Sequence, residues 1–127
     1  FRGVAAATPM EMAVGLATLG NEGQWPKPFL IREIRDAAGA VLYQGRPDLF
    51  RVLPGAAARA ATGVLGARAG TRCFTGATGS ERDAWMLRLG PKGATAVWLG
   101  FDQPAAITRE DRLKALLDEF VNRLGNE

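Results

Sequence analysis

Between Gly70 and Asp102 the chain alternates apolar runs with turn clusters, and this stretch restricts the fold more than any other. The runs are Arg72–Ala77, Ala84–Leu89 and Ala94–Phe101. Between them stand Gly76-Ala77-Thr78-Gly79-Ser80 and Gly90-Pro91-Lys92-Gly93. Short apolar runs bounded by Gly and Pro read as strands joined by tight turns. Links this short force antiparallel neighbours, because a parallel return needs a crossover of about a dozen residues or more. The middle of the chain is therefore predicted to be a three-stranded antiparallel sheet.

The flanking segments supply helices. Over residues 8–20, Thr8 suits an N-cap, Pro9 the first helical position, and Glu11 the reciprocal place of a capping box. Met12, Ala13, Leu16, Ala17 and Leu19 form its apolar stripe, and Gly20 and Gly23 end it. Residues 28–45 read as a β-hairpin. Phe29–Arg35 and Ala40–Tyr43 flank Asp36-Ala37-Ala38-Gly39, with Gly39 supplying a positive φ in a bulged turn. Arg32, Glu33 and Arg35 read as solvent-facing strand charges. Residues 46–53 read as linker. Residues 54–69 read as a second helix opened by Pro54, with Ala57, Ala60, Ala61, Val64 and Leu65 on the buried side, weakened by Gly63 and Gly66. The last helix is expected over 108–124, capped by Thr108. Leu113, Leu116, Leu117, Phe120, Val121 and Leu124 recur on one face of it, which predicts a core stripe. Together these give one α+β domain over residues 1–127, an antiparallel sheet with the 54–69 and 108–124 helices packed on one face.

Composition excludes several classes of function. The 127 residues allow one modest core. A net charge of +3 is spread along the chain rather than clustered, which argues against a nucleic-acid patch. No apolar run approaches the length of a membrane span, and there is no signal peptide. Phe1 at the start suggests a processed chain or a piece of a longer one. The single cysteine, Cys73, excludes an internal disulfide and is expected as a core thiol in a strand. With no histidine, Ser/His catalysis and histidine-ligated metal are excluded, and no cofactor is expected.

Three segments carry a family likeness. Thr75-Gly76-Ala77-Thr78, then Arg82-Asp83-Ala84-Trp85, then Ala96-Val97-Trp98-Leu99-Gly100-Phe101-Asp102 follow one another in order. They resemble the third-motif region of penicillin-binding transpeptidases, above all the class A proteins of peptidoglycan synthesis. There a Lys-Thr-Gly-Thr-Thr strand edges the active site, followed by Arg-Asp-Ala-Trp-Phe and Val-Trp-Val-Gly-Tyr-Asp strands. The Ala-Thr-Pro-Met-Glu-Met stretch of residues 7–12 resembles the helix after the second catalytic motif, and the 28–45 hairpin and the 54–69 helix also have counterparts. The resemblance covers most of residues 5–102 and implies the C-terminal half of a transpeptidase fold. It further implies the periplasmic or extracytoplasmic side of a bacterial inner membrane, with any membrane attachment through a segment outside this chain. As partners it implies the rest of the transpeptidase domain or a self-associated copy, and a peptidoglycan stem peptide.

The chemistry implied by that family is incomplete in these residues. Acyl transfer needs an activated hydroxyl beside a base, and a cation for the substrate carboxylate. The one serine, Ser80, is followed three residues later by Asp83, so Ser-x-x-Lys is absent, as is Ser-x-Asn. No catalytic residue is assigned. The third motif survives in part. Phe74 stands at the lysine position and cannot donate to a carboxylate, whereas Thr75, Gly76 and Thr78 match, and Ala77 replaces a hydroxyl residue. These four, Phe74, Thr75, Gly76 and Thr78, are the candidate substrate-binding residues, and the same stretch also serves simply as a sheet strand. Glu81, Arg82 and Asp83 read as a solvated turn, with Asp83 structural rather than catalytic. Trp85 and Trp98 read as packing residues, while Trp25, before Pro26, is open between packing and exposure. Two readings follow: a C-terminal piece of a penicillin-binding protein, incomplete as a catalyst, or a degenerate module that binds a protein or wall peptide.

Overall fold

A computed structural model of the chain describes residues 6–68, 71–77, 82–91, 93–103, 105–107, 115, 118–120 and 123. The first helix, α1, runs Pro9–Gly20 and begins as expected. The Glu11 amide donates to the Thr8 hydroxyl at 3.2 Å, and the Thr8 amide donates to the Glu11 carboxylate at 2.7 Å. Two orphan donors of the first turn are thus satisfied. Leu16 is buried on the inner side of α1. Thr18 is buried too, and its hydroxyl is satisfied by donating to the Val14 carbonyl at 2.8 Å.

The central sheet is antiparallel, as predicted, but it has four strands: β5 (Gly66–Arg68), β6 (Thr71–Ala77), β7 (Asp83–Gly90) and β8 (Gly93–Gly100), in that order. The expected helix over 54–69 is shorter: α2 spans Gly55–Gly63, and the chain turns into β5 three residues later. Gly63 and Gly66 explain the break. Glycine weakens a helix, and the β6 ladder offers the next residues full backbone pairing. Among the described elements, α1 packs against β7 and β8 and in turn carries α2. Gly20 sits so close to the sheet that a Cβ there would stand 2.5 Å from the Leu89 side chain. The expected packing of the 54–69 helix on the sheet is thus replaced by packing of α2 on α1, while the packing of the 108–124 helix lies outside the described residues. Met86 and Leu87, on opposite faces of β7, are both buried and mark the middle of the core.

Two small sheets lie before α2. The span read as linker contains a strand, β4 (Leu49–Arg51), paired antiparallel with β1 (Gln24–Pro26). Trp25 lies opposite Phe50, with ring centroids 5.8 Å apart, so it is half-buried by an aromatic partner. The hairpin forms as β2 (Glu33–Arg35) and β3 (Val41–Gln44), shorter than expected at its first strand. Its turn holds Gly39 at φ +86°, and the Asp36 carboxylate accepts from the Ala38 and Ala40 amides at 2.9 and 2.8 Å. Glu33 and Arg35 pair with each other on its exposed surface. Both faces of the hairpin carry exposed apolar side chains, Ile34, Val41, Leu42 and Tyr43 among them.

The helix expected over 108–124 lies mostly outside the described residues. Ala115, Asp118–Phe120 and Arg123 within it are helical, and Arg123 pairs with Glu119 one turn away at 2.6 Å. Phe120, expected in the core stripe, is half exposed. Among the described residues no helix is long and apolar enough to cross a membrane.

Candidate functional site

The candidate residues lie on β6, and the ladders on either side of that strand fix which way its backbone faces. Arg68 pairs with Thr71 and Gly90 with Gly93, each the closing pair of its ladder with two residues between. Such closing pairs exchange both hydrogen bonds, and bonded pairs then alternate along the ladder. From the second turn, Leu89, Leu87 and Trp85 point their backbone groups toward β6, where they meet Arg72, Phe74 and Gly76. From the first turn, Thr71 and Cys73 point theirs toward β5. The two deductions agree. Thr75 and Ala77 therefore direct N–H and C=O to the β5 side, beyond the last residue that β5 covers, since β5 begins with Gly66 opposite Cys73.

The side chains alternate as well. Phe74 and Gly76 share one face with Leu87 and Trp85, their partners on β7, and Trp98 lies opposite Trp85 on β8. Thr75 lies on the other face, opposite Met86, and is exposed. Phe74 is 49% exposed, and its ring leans along the strand toward Gly76. A Cβ built on Gly76 would stand 3.2 Å from the Phe74 ring. Gly76 thus gives the phenyl ring a place to lie, which a larger residue would deny. Thr78 and Ser80 fall outside the described residues.

Asp83 opens β7, and its Oδ2 accepts from the indole N–H of both Trp85 and Trp98 at 3.3 Å. The two rings stand 6.5 Å apart, tilted by 55°. Asp83 is thus engaged in tying two strands together, in keeping with a structural role. Trp85 is half-buried, whereas Trp98 is 43% exposed and lies over Gly100, so it serves the surface as much as the core. Sequence reasoning could name the β6 residues but not the open edge, because the edge depends on where β5 stops.

The sequence and the fold are similar to those of known proteins. No family model matches the chain. The chain is 32% identical over 124 residues to penicillin-binding protein 2D of Bacillus subtilis, a match covering 83% of this chain and 18% of that one. With penicillin-binding protein 1A of Aquifex aeolicus it shares 32% identity over 113 residues, covering 79% and 16%. The crystal structure of penicillin-binding protein 1A from Haemophilus influenzae superposes with a TM-score of 0.71 at 21% identity, over 86% of this chain and 24% of that chain. Penicillin-binding protein A of M. tuberculosis, solved as an imipenem acyl-enzyme complex, gives 0.64 at 23% identity, over 82% and 29%. The chain spans less than a fifth of the length of these curated relatives. Sequence and fold agree: the chain belongs with the penicillin-binding proteins, matching a segment of the class A members and sharing the fold of their transpeptidase domain.

Proposed function

We propose that this chain supplies the substrate-side strand of a penicillin-binding protein that works in peptidoglycan synthesis on the outer side of the cytoplasmic membrane. An extended wall peptide pairs along the edge of β6, and Phe74, Thr75, Gly76 and Thr78 are the residues proposed to bind it. The observation that carries this reading is the outward set of backbone groups on Thr75 and Ala77, past the end of β5. An added strand satisfies such groups one for one. The glycine at position 76 lets a second backbone come close.

Acyl transfer also requires a nucleophile and its base, which the residue inventory of these 127 positions does not provide in the family's pattern. Within the proposed protein they come from residues outside this chain, in the remainder of the transpeptidase domain. That remainder, or a second copy, also covers apolar side chains that stand in water here, such as Leu30 at 88% and Val64 at 86% exposure.

Amide hydrogen exchange with a synthetic stem pentapeptide tests the reading. Slowed exchange confined to the amides of Thr75 and Ala77 is expected. Unchanged exchange at both, under saturating peptide, would refute it.

A further inference from the structure

Independently of β6, we infer that the β2–β3 hairpin pairs with the same hairpin of a second copy of this chain, side by side and antiparallel about a twofold axis.

The hairpin lacks the support that a two-stranded sheet needs. Among the described elements, β2 and β3 pack chiefly on each other. Two strands alone are marginal in water, and further strands stabilise them. The two edges differ. β2 carries Glu33 and Arg35, whose charges neutralise one another. β3 reads Val41-Leu42-Tyr43-Gln44, with no charge and no proline to keep another strand away. Its side chains are exposed, Leu42 at 67%.

Backbone bonds show which groups of β3 are free. The Gly45 amide donates to the Arg32 carbonyl at 2.9 Å, and the Asp36 amide to the Ala40 carbonyl at 3.0 Å. Bonded and open pairs alternate along a ladder. Gln44 and Val41, next to those inward residues, therefore turn their backbone groups outward, and the register shift beside Arg35 absorbs Leu42. A twofold axis between Leu42 and Tyr43 lays Val41 of one copy beside Gln44 of the other, and the reverse.

Charge selects the antiparallel order. Arg32 and Arg46 stand at the base of the hairpin, and neither has an ion-pair partner among the described residues. Asp36 opens the turn at the tip. Antiparallel copies set each tip anion against the basal cations of the other copy, whereas parallel copies set like against like. The base also opens a cleft of about 830 Å³, lined by Phe29, Leu30, Ile31, Arg32 and Pro47 among others. An apolar cleft with an unpaired cation suits a segment that is both apolar and acidic. The Asp36-Ala37-Ala38 turn of the second copy is such a segment. A contact of this kind is self-complementary and closes at two copies.

The test is sedimentation equilibrium of the full chain from about 5 to about 500 µM, with amide hydrogen exchange followed over the same series. A monomer–dimer equilibrium is expected, with exchange at Val41 and Gln44 slowing as the dimer fills. Leu42→Lys, at an exposed position that tolerates it, should abolish the dimer. Arg46→Glu should weaken it about tenfold by bringing two anions together. Asp36→Asn keeps an acceptor for the turn amides and should weaken the dimer about threefold. Combined with Arg46→Glu it should dimerise more tightly than Arg46→Glu alone, because the clash is gone. Near-ultraviolet circular dichroism of the tryptophans verifies the fold of each variant. A chain that stays monomeric throughout overturns the inference and leaves the hairpin to the remainder of the domain. A dimer that ignores Leu42→Lys or Arg46→Glu overturns it too, since the copies then meet elsewhere. Additive effects in the double variant would overturn the antiparallel order. None of these outcomes touches the reading of β6, which the stem-peptide experiment tests separately.

Discussion

Trp85 and Trp98 face each other across β7 and β8 and donate to the same carboxylate oxygen of Asp83, each at 3.3 Å. One anion therefore fixes two large side chains on adjacent strands. Hydrogen bonds to a charged group contribute about 1.5–3 kcal/mol each at most, and removing the shared partner strands both donors. Asp83→Ala is expected to destabilise the chain by about 2–3 kcal/mol, and Asp83→Asn by less, since its carbonyl still accepts. Urea unfolding followed by tryptophan fluorescence measures both. Equal stability of Asp83→Ala and the parent chain would contradict the shared role.

Gly23 is a second test of local geometry. Its φ is +83°, and a Cβ there would stand 2.2 Å from the Leu53 carbonyl oxygen. Its own carbonyl accepts from Val52 and Leu53 at 2.9 and 3.2 Å, and its amide donates to Thr18. The residue thus knots the end of α1 to the exit of β4. Gly23→Ala should cost about 2–4 kcal/mol, from strain and displaced backbone together. Gly39→Ala has a positive φ but open space around it, and should cost only about 1 kcal/mol. Thermal melts of the two variants should separate clearly.

The capping box of α1 carries a pH dependence. The Thr8 amide and then the Thr8 hydroxyl, both donating to Glu11, hold its carboxyl below the ordinary value. A lowered folded-state pKa contributes stability that is present above the unfolded value and lost as pH falls through the folded one. Helical circular dichroism should therefore weaken on acidification through and below the ordinary carboxylate range. Glu11→Gln should remove that part of the acid dependence. Thr8→Ala should cost about 1 kcal/mol at neutral pH.

Reactivity toward β-lactams gives a third kind of test. The chain should form no covalent adduct with a fluorescent penicillin, because no Ser-x-x-Lys is present to supply an activated hydroxyl. Phe74→Lys should not restore labelling, since an anchoring cation replaces neither nucleophile nor base. A buried Phe74 would have made that variant costly, but at half exposure the lysine can reach water and the fold should persist. Intact mass spectrometry decides the matter, and a stoichiometric increase on the parent chain would overturn the expectation.

The sequence made some of this legible and hid the rest for physical reasons. The strands β6, β7 and β8 fall within a residue or two of the apolar runs because Gly and Pro punctuate them on both sides. The start of α1 was legible because Thr8 and Glu11 carry a mechanism and not only a propensity. Three-residue strands such as β1, β4 and β5 have too few positions to show a period of two. Gly66-Ala67-Arg68 has no strand propensity of its own and owes its form to the β6 ladder. The open edge at Thr75 and Ala77 belongs to register, which no single residue encodes. Phe74 was visible as a departure at the lysine position, yet its contact with Gly76 emerged only from the fold.

The pairing of β1 with β4 brings Pro26 and Leu49 side by side, and the Lys27 amide extends the ladder by donating to Asp48. Everything between them, including the β2–β3 hairpin, leaves and returns through one clasp. In design terms the hairpin is a cassette: its two ends are already closed, so changing its length alters loop entropy only slowly. Trimming β2 and β3, or lengthening the Asp36–Gly39 turn with a tag, should leave the register of β6, β7 and β8 untouched. A fluorophore placed at that turn would then report on events at the sheet without competing for its edge.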